Sequence, residues 1–166
     1  MAEIGSAICA ATEEVFSVML GMAVTAGETQ TEGAGQDHSG VVAVLGLTGE
    51  WGGAGQVSCD SGLALEIAAK LLMSEYAEID EDVLDAIAEV ANMIVGNVKT
   101  VLEQKLGPMG LSAPAVFFGG DFETRVVGKP KMVLVPFTCA NGGITVQVAI
   151  APMARTRLRN RAAKPE

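Results

Sequence analysis

The longest periodic segment of the sequence is Glu81–Leu106, EDVLDAIAEVANMIVGNVKTVLEQKL, and its periodicity predicts one long amphipathic helix. Glu81 and Asp82 suit the positive N-terminal end of a helix, and Gly107-Pro108 ends it. Apolar residues at spacings of three and four form a single stripe: Leu84, Ile87, Ala91, Ile94, Val98, Val101 and Leu102. We expect this stripe to face the core of the domain.

Two further helices and several short strands are predicted on either side of this helix. Apolar residues recur at helical spacing over residues 2–22, and Asp60 or Ser61 can cap another helix that runs to about Met73. Runs rich in β-branched and other apolar residues predict strands at 41–47, 55–59, 115–118, 131–138 and 144–150, with 121–127 as a further candidate. The glycine-rich residues 49–54 predict a hairpin turn, and residues 26–40, which lack periodicity, predict a mobile connection.

This order of elements indicates the class α+β. Short turns join neighbouring strands, so the pairing is expected to be largely antiparallel. We expect a two-layer domain whose long helices pack on one face of a sheet of five or six strands. The domain is expected to cover residues 1–153.

A basic tail is expected over residues 154–166, after the last strand. Its basic residues alternate with small and polar ones: Arg155, Arg157, Arg159, Arg161 and Lys164. Such a terminus is usually a solvated chain end. A local electrostatic contact with a partner is the alternative.

Composition and charge exclude several classes of protein. With 166 residues, 49% hydrophobic and 19% charged, the chain is long enough to bury a core as one domain. No stretch approaches the roughly 18 consecutive apolar residues of a membrane span, and the start lacks the basic and apolar segments of a signal peptide. We therefore expect a cytoplasmic protein. The net charge of -9 disfavours nucleic acid as the partner, and three cysteines without paired spacing suggest neither disulfides nor a zinc site.

The polar side of the long helix carries the candidate chemistry. Six residues at spacings of three and four form one polar ridge: Asp85, Glu89, Asn92, Gly96, Lys99 and Glu103. An acid and a carboxamide one turn apart can hold a cation with one side chain and orient a water molecule with the other. A glycine inside a helix costs about 1 kcal/mol relative to Ala, so Gly96 suggests close approach by a partner. The alternative is the ordinary wet face of an amphipathic helix.

The segment 85–100, DAIAEVANMIVGNVKT, closely resembles the signature helix of the CheC, CheX and FliY chemotaxis phosphatases. Residues 14–21 are similar to the first helix of that family, residues 46–55 to its first hairpin, and residues 111–119 to the strand entry after the long helix. The resemblance covers nearly the whole chain up to Met153. CheC-like members carry two helices with the ExxN pattern, whereas here Glu66 is followed at the third position by Ala69, so the chain is CheX-like.

The resemblance implies a phosphatase that acts on a phosphorylated receiver domain such as CheY. Glu89 would pair with the active-site lysine of the receiver, and Asn92 would orient the water that attacks the phosphoaspartate. Asp85, Gly96 and Lys99 on the same ridge are expected to contact the receiver. The resemblance also implies that Mg2+ is bound by the receiver, that this chain has no metal or cofactor of its own, and that it forms a homodimer. The alternative is a non-catalytic adaptor that binds a receiver or assembles as flagellar switch proteins do.

Other motifs suggest no separate site. The glycine-rich residues 46–55 lack the GxxxxGK[ST] form and lie between two predicted strands, which favours a hairpin over a nucleotide site. His38 falls in the predicted connection without a nucleophile and an orienting acid nearby, so no catalytic triad is expected. Ser112 precedes Ala113-Pro114 and is expected to begin a strand rather than to act as a nucleophile.

Overall fold

A computed structural model describes residues 1–32 and 35–154 of the chain. The first helix, α1, spans Ala2–Glu14 and continues as a π-helical turn, Val15–Leu20, which ends at Gly21 in the left-handed conformation. The helix α2 spans Ser61–Leu72, and α3 spans Glu81–Leu106. The predicted positions of the three helices are confirmed. The predicted basic tail lies outside the described residues from residue 155 onward, so its role stays a prediction.

The described residues form one antiparallel sheet of seven strands. The strands are β1 Thr25–Ala26, β2 Gln36–Gly49, β3 Trp51–Cys59, β4 Met109–Leu111, β5 Ala115–Thr124, β6 Lys131–Cys139 and β7 Gly142–Pro152. Their order is β1-β6-β7-β3-β2-β4, and β5 also pairs with β2. The predicted α+β class is confirmed, but the expected count of five or six strands was too low because β1 and β4 are too short to show an alternating pattern.

Two predictions around the first hairpin were wrong. Residues 36–40 belong to β2 rather than to a mobile connection, because β5 supplies a pairing partner, with Gln36 opposite Thr124. The stretch 49–54 is mostly strand, since only Glu50 separates β2 from β3. Gly53 belongs to β3 with φ 157, where a Cβ atom would collide with the backbone carbonyl of Ala149 on β7. These glycines permit close strand packing rather than a long turn.

The core lies between the three helices and one face of the sheet. The helix α3 packs against both α1 and α2 and crosses β2 and β3. It lies close to β3 at Gly55, where a Cβ atom would stand only 2.6 Å from Cγ1 of Val95. The predicted apolar stripe of α3 is largely buried, but Leu84 is half-buried and Val101 is 44% exposed. Leu102, the next member of the predicted stripe, is buried as expected, because consecutive helical side chains point in different directions.

A polar cluster, which the sequence analysis did not anticipate, lies on the sheet face away from the helices. Nε2 of Gln36 donates a hydrogen bond to Oε1 of Gln147 at 2.8 Å, and Nε2 of His38 lies 2.7 Å from Oγ1 of Thr124. Nε2 of Gln56 donates a longer bond, 3.3 Å, to the same Thr124 oxygen. These five side chains join β2, β3, β5 and β7. The prediction that His38 belongs to a mobile connection is therefore corrected.

Stability is expected to fall below about pH 6.5 because of His38. Burial lowers the pKa of His38 from its ordinary 6.5, with nearby Asp37 acting weakly in the opposite direction. The unfolded chain therefore takes up this proton first, so the free energy of unfolding decreases as the pH drops below 6.5 and does not depend on His38 above it. The pKa values of Glu3 and Glu103 are lowered from 4.5, so these two residues affect the free energy of unfolding only at lower pH. Denaturant unfolding between pH 8 and 5 should show this slope, and His38→Gln should remove it. An equal slope in that variant would contradict the assignment.

Candidate functional site

The start of α3 sets the direction in which every later side chain points. Asp80 caps the helix, and its Oδ1 atom accepts a hydrogen bond from the backbone N–H of Val83 at 3.0 Å. The side packed on the sheet and the other helices consists of buried apolar residues: Val83, Ala86, Ile87, Val90, Ala91, Ile94, Val95, Val98 and Leu102. With these residues buried, the polar ridge faces away from the core.

Glu89 and Asn92 lie one turn apart on this ridge. Glu89 is exposed and Asn92 is half-buried. Within the described residues, neither side chain has a hydrogen-bond or ion-pair partner. An ionised Glu accepts hydrogen bonds only, whereas the carboxamide of Asn both donates and accepts. The pair therefore presents an acceptor for a cation beside a group that can hold a water molecule by two of its hydrogen bonds.

Gly96 lies one turn further along the ridge and is half-buried. A Cβ atom built at this position would meet only Cδ2 of Leu111, at 3.7 Å, which is an ordinary van der Waals contact. The fold itself has room for alanine here, unlike at Gly55. Packing within the described chain therefore does not explain why the helix carries a glycine at this point.

Lys99 differs from the other predicted site residues because its ammonium group is engaged within the chain. Nζ donates to Oε1 of Glu103 at 2.9 Å and to the backbone carbonyl of Met109 at 3.2 Å. The same Glu103 oxygen accepts the backbone N–H of Met109 at 2.9 Å. Hydrogen bonding by Lys99, and then by Met109, lowers the pKa of Glu103 below its ordinary value. The structure thus leaves Asp85, Glu89, Asn92 and Gly96 on an open ridge and turns Lys99 toward β4.

The sheet edge beside the ridge presents a residue that the sequence analysis missed. Phe118 on β5 is opposite Val41, whose side chain is buried beneath the helices. Directly opposed residues point to the same face, so Phe118 lies on the helix side of the sheet, where it is 52% exposed. The strand β5 also packs against α3. Adjacent phenylalanines in an edge strand were the available signal, since an exposed large apolar side chain often marks an interaction surface.

Over residues 1–32 and 35–154, no three His, Cys, Asp or Glu side chains are grouped so that they could hold a metal ion. In the same residues, no helix combines the length and the apolar character needed to cross a bilayer.

Comparison with known proteins identifies a family and a relative. The family described as "Chemotaxis phosphatase CheX" matches residues 41–138, which is more than half of the chain and includes all of α3. A relative from Thermotoga maritima, named CheY-P phosphatase CheX, is 28% identical over 128 residues. That alignment covers 76% of this chain and 83% of the relative.

Solved structures share the fold over most of its length. The chemotaxis protein CheX of Desulfovibrio desulfuricans matches with a TM-score of 0.80 at 26% identity, covering 91% of this chain and 99% of that chain. A chain from the CheX-CheY-BeF3-Mg2+ complex of Borrelia burgdorferi matches with a TM-score of 0.75, also at 26% identity. That match covers 89% of this chain and 97% of the other.

Proposed function

The chain belongs to the CheX family of chemotaxis phosphatases, and we propose that it removes the phosphoryl group from the phosphoaspartate of a CheY-like receiver domain. The observation that carries this proposal is the pair Glu89 and Asn92, which stands on an open ridge without partners in the described chain. The relative from Thermotoga maritima is named a CheY-P phosphatase. The relative from Borrelia burgdorferi was solved with CheY, BeF3 and Mg2+.

The two side chains have separate tasks in this reaction. Glu89 pairs with the active-site lysine of the receiver and so fixes the orientation of the complex. The carboxamide of Asn92 enters the receiver site and orients a water molecule in line with the phosphorus–oxygen bond to the aspartate. The water oxygen bonds to phosphorus, the aspartyl oxygen leaves as a carboxylate, and the water's proton leaves with the phosphate or passes to solvent. Mg2+ belongs to the receiver, where it neutralises charge on the phosphoryl oxygens.

The rest of the ridge extends the contact with the receiver. Asp85 is exposed one turn before Glu89, and Gly96 lies one turn after Asn92. Asp85 offers a negative charge to the receiver, and Gly96 allows the receiver to approach the helix closely. The ammonium group of Lys99 is bonded to Glu103 and Met109. Lys99 therefore contributes to receiver binding through the shape of the surface rather than through its charge.

A homodimer and a cytoplasmic location complete the proposal. The edge strand β5 supports the dimer: among the described residues it pairs only with β2. Phe117 on this strand is 54% exposed, which is unusual for an apolar side chain in a monomer's sheet edge. Sedimentation equilibrium at micromolar concentration tests the dimer, and a monomeric mass would refute that part of the proposal.

Phosphate release from a panel of phosphorylated receivers tests the function. The chain is added to each receiver in the presence of Mg2+, and the rate is compared with spontaneous hydrolysis by the receiver alone. Acceleration with one or a few receivers supports the proposal and identifies the substrate. Binding to a phosphorylated receiver without acceleration would refute it in favour of a non-catalytic adaptor.

Gly96→Ala is expected to stabilise the protein and to weaken the complex with the receiver. Alanine is better than glycine inside a helix by about 1 kcal/mol, and the added methyl group makes only an ordinary contact with Leu111. On the outer side, the same methyl group would hold the receiver away from α3. Denaturant unfolding and titration with an activated receiver measure the two effects. Gly62→Ala on α2 is the control, and undiminished affinity in Gly96→Ala would contradict the close approach.

A further inference from the structure

Two side chains hold the strand β4 against the C-terminal half of α3. Lys99 donates to the backbone carbonyl of Met109, and Glu103 accepts the backbone N–H of the same residue. Lys99 and Glu103 also bond each other at 2.9 Å. We call Lys99, Glu103 and the Met109 backbone the α3–β4 clamp. The backbone N–H and the backbone carbonyl of Met109 therefore both have hydrogen-bond partners on α3.

The strand β4 depends on such support because it is short. It spans only Met109–Leu111 and pairs with residues 47–49 at the end of β2. Three residues of edge strand form few hydrogen bonds of their own. At the far end, Oγ of Ser112 accepts the backbone N–H of Gly46 at 2.7 Å, so the side chains of α3 supply the support at the Met109 end. The side chains of Lys99 and Glu103 are only 20% and 30% exposed, which shelters their ion pair from solvent.

The clamp lies at the C-terminal end of the polar ridge, beside the proposed receiver surface. Lys99 follows Asn92 by seven residues, which is two helical turns or about 10 Å along α3. Between them lies Gly96, and the side-chain atom nearest to its missing Cβ is Cδ2 of Leu111 on β4. The clamp bonds Met109, two residues before Leu111, so it holds one end of the strand that lies beside Gly96, while the bonds between Ser112 and Gly46 hold the other end. Glu89 and Asn92 do not touch the clamp residues through any described side-chain bond.

We propose that Lys99 and Glu103 are positioning residues for the phosphatase reaction: they place β4 so that the receiver fits against Gly96, and they take no part in the chemical step. This inference rests on the proposed function, and it replaces a direct contact between Lys99 and the receiver. Its consequence is a separation of kinetic effects. Loss of the clamp should raise KM for the receiver and leave kcat nearly unchanged, because Asn92 still orients the attacking water.

The test compares three lysine variants. Lys99→Met removes both donated hydrogen bonds but keeps the apolar stem, and Lys99→Arg keeps a donor for Glu103 and Met109. Lys105→Met is the matched control, because it removes the same charge from the same helix at an exposed position paired with Glu3. Lys99→Met should raise KM roughly tenfold, and should raise the dissociation constant of a receiver loaded with beryllofluoride and Mg2+ by the same factor. The reason is that receiver binding must then also hold β4 in place, and a hydrogen bond to a charged group contributes stability equivalent to about that factor. The arginine variant and the control should stay near wild type.

Hydrogen exchange separates this inference from the proposed function. In Lys99→Met the backbone amides of Met109–Leu111 should exchange faster, while those in the middle of α3 should not change. Faster exchange with unchanged KM and receiver affinity would overturn the positioning role. Unchanged exchange would show that the clamp does not hold β4, and a fall in kcat alone would place Lys99 in the chemical step. If the wild-type chain binds an activated receiver but releases no phosphate, the proposed function fails while the affinity comparison still decides this inference.

Discussion

Asn92→Ala is expected to reduce phosphate release to the spontaneous rate of the receiver, a loss on the order of 100-fold or more. The carboxamide is the group that holds the attacking water, and alanine offers neither a donor nor an acceptor at that position. Binding should persist, because Glu89 and the rest of the ridge are intact. The single-turnover rate of phosphate release, measured with enzyme in excess over the phosphorylated receiver, isolates the chemical step.

The fold should tolerate this change. Asn92 is half-buried and has no side-chain partner in the described chain, so its removal is expected to change the free energy of unfolding by about 0.5 kcal/mol or less. Asn97→Ala is the matched control, since Asn97 is exposed on the same helix but lies off the ridge. Full activity of Asn92→Ala would refute the proposed mechanism, whereas an equal loss in Asn97→Ala would point to a general effect on α3.

Glu89→Ala is expected to weaken the complex with the receiver. Removing one partner of a charge pair that becomes buried in an interface costs about 2–5 kcal/mol, much of it from the lysine left unpaired. Most of the effect should appear as faster dissociation. Stopped-flow binding of a receiver loaded with beryllofluoride and Mg2+ measures this rate without interference from turnover.

A matched acid on the same helix distinguishes this pairing from a general loss of negative charge. Glu81 is exposed in the first turn of α3, four residues before Asp85, so it continues the ridge but lies about 12 Å along the helix from Glu89. Glu81→Ala should alter the dissociation rate only slightly. If both variants weaken binding equally, long-range attraction rather than a specific lysine contact accounts for the role of Glu89. If neither does, the proposed pairing is wrong.

The position of the ridge could be predicted because it depends on one helix alone. Its N-cap Asp80, its acidic first turn and the stop at Gly107 are all local signals, and the observed bounds are those predicted, Glu81–Leu106. Helical spacing then places Asp85, Glu89 and Asn92 on one side without reference to any other element. Val101 was misassigned because its burial depends on what packs against the end of the helix.

The three helices, the α+β class and the side of α3 that carries Glu89 and Asn92 could all be predicted from the sequence, because helical periodicity depends only on residues that are neighbours in the chain. Three features could be seen only in the folded chain: residues 36–40 form a strand with β5, His38 joins a polar cluster, and Lys99 turns toward Met109. Each of these features depends on a partner that is distant in the chain. These contacts form only when the distant segments pack together, so local periodicity does not predict them.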